Sequence, residues 1–502
     1  MKNSESKEAF VEIKSTKSKE KIKQIFYSWS QSVTFHCFPK IFKAETNFFI
    51  LRFFWSFIFL SFSSFTFFIL VSNVIAYYQY ETTTSFQIIN EQPSLFPAIT
   101  ICDSNAFTTK KAESLILNMS KEFYGIDLTK LPFSKYYDYV TGNLTQVVKS
   151  YVSDPKYGDE NRQQLGFNLS QLMTSCVFNQ VSCNFNEDFH WFFHYDFGNC
   201  FQLNSGLNMK NQVVGLKKVS FGAKDNGLSV QIGPLVNQNQ YPLTSSKGLK
   251  IFIHNSTKKL KLFDNSLSLE PGKETNVVIE RKITLNLPWP YSECIDLSNG
   301  YNSEFYNVLI RENLIYSQFE CLGMCIIQKP IEEACKCFYA GIPSFKSSTA
   351  CTNLTQILCF NDKYRKQLDN LNYYAKECIQ YSCPLECVTY TYNTQLTSLE
   401  YPSIEFYHLA LNDTTSLIYT SQYKDDLIIS TYESFRQYFY SLNFYYSSTQ
   451  YTYISESPQM TPMALLSNLG GSLGMFLGLS VFSLLEIFEI VTKIFWAWVF
   501  RI

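Results

Sequence analysis

Two stretches of the chain are apolar over a length that spans a bilayer, about 20 residues. The first covers residues 48–76, FFILRFFWSFIFLSFSSFTFFILVSNVIA, and the second begins at residue 463 and runs to about residue 500. The pattern between them is mixed. FPAITIC at residues 96–102 reads as a buried strand. GLSVQI, GLKIFIH and TNVVIERKITLNL read as further strands, divided by turn signals such as EPGK. Residues 110–200 are partly helical in pattern. From Cys294 to Cys387 ten cysteines predict a stapled, largely helical subdomain. Residues 1–30 are rich in Lys, Ser and Glu and read as a solvated tail.

Charge and cysteine turn these elements into a topology. The net charge of -1 gives no reason to expect nucleic-acid binding. The mean hydropathy of -0.09 fits a large polar body on a few anchors. Residues 1–47 hold nine lysines against five glutamates, which marks that end as cytoplasmic. The first apolar stretch lies too far along, and is too long, for a signal peptide. Two spans then return the chain to the cytoplasm and leave the segment between them outside. Of fifteen cysteines only Cys37 precedes the first span, and the other fourteen lie in that exterior segment. An even number in an oxidising compartment predicts seven disulfides. N-x-S/T acceptors occur at Asn118, Asn143, Asn168, Asn255, Asn353 and Asn412, all in the same segment.

Cys335-x-Cys337 and Cys383-x3-Cys387 lack the paired C-x2-C units that zinc ribbons prefer, so disulfides are expected there. His190 and His194 would share one face of a helix, but no third ligand accompanies them. There is no nucleophile elbow, P-loop or dinucleotide fingerprint. We expect no catalytic residues, no metal and no cofactor.

The second span, LLSNLGGSLGMFLGLSVFSLLEIFEIV at residues 465–491, is the segment whose composition asks for chemistry. Gly470, Gly474 and Gly478 form a small-xxx-small ladder, which close helix packing alone would explain. Packing does not explain Ser480, Ser483, Glu486 and Glu489. Polar and ionisable groups in a span face a bundle interior or water. Steps of three place Ser480, Ser483 and Glu486 on one slowly drifting helix face. Residues 463–502 would reach about 60 Å as one helix, about twice the hydrocarbon thickness. A break at Gly478-Leu479-Ser480 is expected, with glycine permitting extended backbone. Non-helical backbone at membrane depth survives only in protein or facing water, where carbonyls can replace ion hydration. Two spans cannot enclose a pore, so several subunits must share one.

These residues resemble the degenerin/epithelial sodium channel superfamily, which includes acid-sensing and peptide-gated sodium channels. The resemblance covers nearly the whole chain. It rests on FPAITICDSNAF, FGNCFQLNSG at residues 197–206, LPWPYSEC ending at Cys294, the cysteine run, and LLSNLGGSLGMFLGLSVFSLLEIFEI. It implies an α+β membrane protein and a trimeric channel. Two transmembrane helices would flank a disulfide-rich extracellular domain of palm, β-ball, finger, thumb and knuckle. The expected organisation is a cytoplasmic segment 1–47, a first span 48–76, an extracellular domain 77–457, and a pre-pore segment with a pore-lining span 458–502. Gly478, Leu479 and Ser480 match the selectivity filter, Gly474 the position that influences amiloride block, and Ser467 the gate. Ser483, Glu486 and Glu489 fall in the inner pore. The family's pairing, carried over in order, is Cys102–Cys200, Cys176–Cys183, Cys294–Cys387, Cys321–Cys383, Cys325–Cys378, Cys335–Cys359 and Cys337–Cys351. Tyr77 or Tyr78 would stack on Tyr291 to couple membrane and exterior. One departure stands out: the family's His-Gly before the first helix is His36-Cys37 here, which puts the re-entrant lower pore in question.

The expected function is an amiloride-sensitive, sodium-selective channel in the plasma membrane with both termini cytoplasmic. Its partners would be family subunits in a homo- or heterotrimer, permeant sodium, lipid and an extracellular ligand such as a neuropeptide. Proton-gated, mechanically gated and constitutively open channels of the same family are the alternatives. A non-conducting adhesion or receptor protein, and an ectoenzyme, are the readings from other classes. AYYQYETTT after the first span has no histidine, which weighs against acid gating.

Overall fold

A computed structural model describes residues 20, 22–34, 38–42, 49–130, 144–233, 235–236, 243–255, 266–312, 314–346, 349–412 and 431–499. The chain divides into two compact units, Met1–Thr83 with Glu456–Ile502, and Thr84–Ser455.

In the first unit, helix α1 (Phe49–Tyr78) contains neither Gly nor Pro and is apolar around its whole circumference. It is long and apolar enough to cross a membrane. Two of its polar side chains fold back onto the turn before them: Thr66 Oγ1 donates to the Phe62 carbonyl at 2.7 Å and Asn73 Nδ2 to the Ile69 carbonyl at 2.9 Å. The helix runs two residues beyond the expected 48–76 limit. Tyr77 and Tyr78 therefore form its last turn. It stops where Tyr80 turns left-handed, at φ 51°.

The second apolar stretch forms two helices. Helix α2 (Pro462–Leu477) starts at Thr461, whose hydroxyl accepts the Ala464 N–H at 3.1 Å, with Pro462 in its first turn. Helix α3 (Val481–Val499) follows after three residues. The pair is bent by 71° and together passes the length and hydropathy test for a span.

In the second unit, strand β1 (Ala98–Asp103) is central to a five-stranded sheet, between β2 (Gly198–Leu203) and β3 (Leu249–His254). Cys102 and Cys200 are register partners across β1 and β2 and are joined as a disulfide. Strands β4 (Lys273–Leu285) and β5 (Val388–Glu400) pair antiparallel along their full length, Lys273 opposite Glu400 and Leu285 opposite Val388. Parallel to β4 runs β6 (Tyr440–Tyr446), which buries Tyr440, Leu442, Phe444 and Tyr446 at every second position. Arg281, buried in β4, pairs with Glu91 and lies 4.3 Å from the Tyr451 ring centre.

Between β4 and β5 the chain makes a helical excursion. Its helices include Glu304–Arg311, Leu354–Asp369 and Leu371–Tyr381. Cys294–Cys387 closes its neck, with Cα atoms 5.0 Å apart. Inside it lie Cys321–Cys383, Cys325–Cys378, Cys335–Cys359 and Cys337–Cys351. Its core gathers Phe305, Leu309, Tyr316, Met324 and Ile342. Cys176–Cys183 staples a hairpin elsewhere in the unit.

His190 and His194 correct the sequence reading. They lie on a β-strand, Phe189–His194, since aromatic FHWFFH favours a half-buried pleat over a helix. Each is committed locally. His190 Nε2 is 2.8 Å from Asn211 Oδ1, and His194 Nδ1 accepts the Asp196 N–H at 3.1 Å.

Candidate ion pathway

The break in the second apolar stretch is built from three residues with separate duties. Gly478 sits at φ 70°, ψ 17°, the left-handed region that glycine enters without penalty. The backbone is thus turned left-handed rather than extended as expected. The Gly478 and Leu479 amides close the end of α2, on the carbonyls of Gly474 (3.1 Å) and Leu473 (3.1 Å). A Cβ built on Gly474 would stand 3.7 Å from the Leu479 carbonyl oxygen, so these two positions are neighbours across the turn.

Ser480 opens α3. Its N–H donates to Ser483 Oγ at 3.1 Å, and the Ser483 N–H donates back to Ser480 Oγ at 3.3 Å. This is a reciprocal cap, with serine in the place usually held by Glu or Gln. The three-residue spacing read as a polar stripe is therefore also a helix-start signal. Ser483 is fully buried within the chain.

Its burial has a cause outside α3. Thr34, which precedes α1, places its hydroxyl 2.7 Å from Ser483 Oγ. The same hydroxyl donates to Glu486 Oε2 at 3.1 Å, and the Thr34 N–H reaches that oxygen at 3.2 Å. Nothing in the sequence singled out Thr34: one hydroxyl in an otherwise mixed segment carries no periodicity. Glu489 is committed differently, to Lys493 four residues on, at 2.5 Å.

Ser467 lies on the exposed surface of α2, two turns before Gly474. Phe476 packs against α1, stacked on Phe62 at 6.0 Å and edge-on to Phe65 at 5.3 Å between ring centres. Lys40 stands 4.3 Å from the Trp55 ring centre, close to the start of α1. His36 and Cys37 lie outside the described residues. Tyr77 and Tyr78 contact each other edge-on at 5.4 Å. Tyr291 closes a turn with its N–H on the Pro288 carbonyl at 3.1 Å.

Among the acceptor asparagines, Asn118 is exposed on the helix Lys110–Tyr124. Asn168 and Asn353 are exposed helix caps whose Oδ1 takes the backbone amide, which leaves Nδ2 to the outside. Asn255 is half-buried after β3, and Asn412 ends the helix Ile404–Asn412. Asn143 lies outside the described residues.

The pattern of the amiloride-sensitive sodium channel family matches residues 29–490. Among curated relatives, a bile acid-sensitive ion channel of Mus musculus is 24% identical over 448 residues, covering 86% of this chain and 80% of its own length. An FMRFamide-activated amiloride-sensitive sodium channel of Cornu aspersum is 21% identical over 492 residues, covering 83% and 75%. An epithelial sodium channel subunit alpha of Mus musculus is 27% identical over 334 residues, covering 64% of this chain and 43% of that subunit.

Proposed function

Because the chain belongs to the amiloride-sensitive sodium channel family, a family of ion channels and not of enzymes, we propose that it is one subunit of a trimeric, sodium-selective channel. It crosses the plasma membrane twice, keeps both termini in the cytoplasm and is opened by an extracellular ligand. The observation that carries this reading is the broken second span. A left-handed glycine, a leucine whose carbonyl lies beside Gly474 and a capped serine follow one another where the two half-helices meet.

Three copies of Gly478-Leu479-Ser480 form the narrowest ring. A small cation gains more than a larger one from close oxygen dipoles, because the interaction falls with distance. The Ser480 and Ser483 hydroxyls hold the start of α3, so backbone carbonyls supply most of those dipoles. Gly474, beside the Leu479 carbonyl, is the position where amiloride acts, and Ser467 is the gate. Glu486 and Glu489 concentrate cations further in. Tyr77 or Tyr78 with Tyr291 couples the gate to the exterior. Relatives named as bile acid-sensitive and as FMRFamide-activated support a chemical opener over a mechanical one.

Recording from cells that express the full chain tests this. The expected result is an inward sodium current blocked by amiloride. Gly478→Ala and Ser480→Ala should each raise potassium permeability relative to sodium, while Glu486→Gln should lower conductance. Unchanged reversal potentials in both filter variants, with a large shift from Glu486→Gln, would move the filter to the carboxylates. Activation by a peptide at constant pH separates ligand gating from proton gating.

A further inference from the structure

The body holds a polar cavity of 330 Å³ at the end of β1, far in sequence from the spans. Asp103 is the last residue of β1, one step beyond the disulfide at Cys102. The loop 243–248 is tied over it: the Ser104 N–H donates to the Gly248 carbonyl at 2.9 Å, and Ser104 Oγ to the Ser246 carbonyl at 3.2 Å. The Asp103 carboxyl accepts the Asn105 N–H at 2.7 Å, which leaves most of its acceptor capacity unused. Lys247, from the loop, lines the same cavity and stands 3.8 Å from the Tyr438 ring centre. Asp103 and Lys247 feel each other's opposite charge across the cavity.

Thr108 lines this cavity and is 2% exposed. Its N–H is taken by the Leu165 carbonyl, but among the described residues its buried hydroxyl has no partner. That hydroxyl is sealed inside the protein and does not open onto the cavity, so only the rest of Thr108 contributes to the wall. The remaining wall is apolar, made by Phe167, Leu235 and Val236.

We propose that this cavity binds a small zwitterion of the α-amino-acid type, its ammonium on Asp103, its carboxylate on Lys247, and its side chain against Phe167, Leu235 and Val236. A bare cation would be opposed by Lys247, and a bare anion by Asp103. A zwitterion meets both charges, and the volume lies at the lower end of the range for small-molecule sites. Burial pushes the Asp103 carboxyl up to about 7, against the Asn105 amide and Lys247, which pull it down. Tyr438 and Tyr440 also face the cavity. An adjoining cleft holds Lys250 and the Lys149–Asp196 pair. Because the ammonium needs the ionised carboxyl, affinity falls as pH drops below about 7.

Binding here does not require that the chain conduct, so it is measured on the purified full-length protein in detergent, by calorimetry. The probes are L-leucine, leucinamide, which lacks the carboxylate, and N-acetylleucine, which lacks the ammonium. Leucine should bind about tenfold or more tighter than either blocked analogue. Asp103→Asn should bring leucine down to the level of N-acetylleucine, and Lys247→Gln to that of leucinamide. Lys247, half-exposed, keeps the test usable if Asp103→Asn fails to fold. Three probes binding alike, no binding of leucine at millimolar concentration, or affinity unchanged in both charge variants would overturn the site. Loss of sodium current with leucine binding intact would count against the channel reading alone.

Discussion

At Ser483 one hydroxyl meets three groups: the Ser480 N–H, the Ser480 hydroxyl and the Thr34 hydroxyl. A hydroxyl has one proton and two lone pairs, so these contacts constrain one another. Glu486 completes the cluster by accepting both donors of Thr34. The segment before α1 is thus anchored to α3 by hydrogen bonds to one carboxylate. Removing that carboxylate should release the anchor. We expect Glu486→Ala to speed hydrogen exchange of the Thr34 amide by about tenfold or more, since hydrogen bonds to charged groups are worth about 1.5–3 kcal/mol. Glu489→Ala, whose partner is Lys493, should leave that amide unchanged. Equal exchange in the parent and in Glu486→Ala would show that the anchor does not hold in solution.

Elements differed in how plainly the sequence announced them. Lys273–Leu285 and Leu249–His254 were legible because β-branched residues alternate between turn signals. The break at Gly478 was legible because a forty-residue helix does not fit a bilayer. The strand at Phe189–His194 was misread, since two histidines four apart satisfy either period when burial is unknown. The Ser480–Ser483 cap was read only as a stripe, because a serine pair lacks the Glu or Gln that marks a capping box. Thr34 was beyond reach, being a contact across more than four hundred residues. The disulfides bear on the excursion between β4 and β5. Cys294–Cys387 closes a separation of 93 residues. Chain-entropy reasoning assigns such a loop about 4–5 kcal/mol. The double change Cys294→Ser with Cys387→Ser should lower the melting temperature of the non-reduced protein. It should also raise exchange at 285–295 more than within Leu354–Asp369, which keeps its own staples. Uniform exchange across both regions would place the constraint elsewhere.

For the molecule as a whole, two buried groups of the body give opposite responses to pH. The Asp103 carboxyl, raised by burial from 3.8 to about 7, holds a proton in the folded state that the unfolded chain has released. Stability from this group is greatest at low pH and declines as pH rises from about 4 to about 7. The His194 imidazole, lowered by burial from 6.5 to about 4, stays neutral where the unfolded chain is charged. Stability from this group rises with pH over about 4 to 6.5. The two slopes oppose each other across a shared window. Melting temperatures of the purified protein between about pH 4.5 and 7 should expose them in turn. Asp103→Asn should make stability climb more steeply with pH than in the parent, and His194→Gln should make it fall. Curves parallel to the parent in both variants would rule out this opposition. The neck of the helical excursion has a further consequence, for descent. Because Cys294 and Cys387 bring its two ends to one point, the register of β4 on β5 is fixed outside it. Insertions and deletions between those cysteines can accumulate without re-threading a single strand. The excursion is the place where a lineage of such chains can diversify its outer surface while inheriting the sheet unchanged.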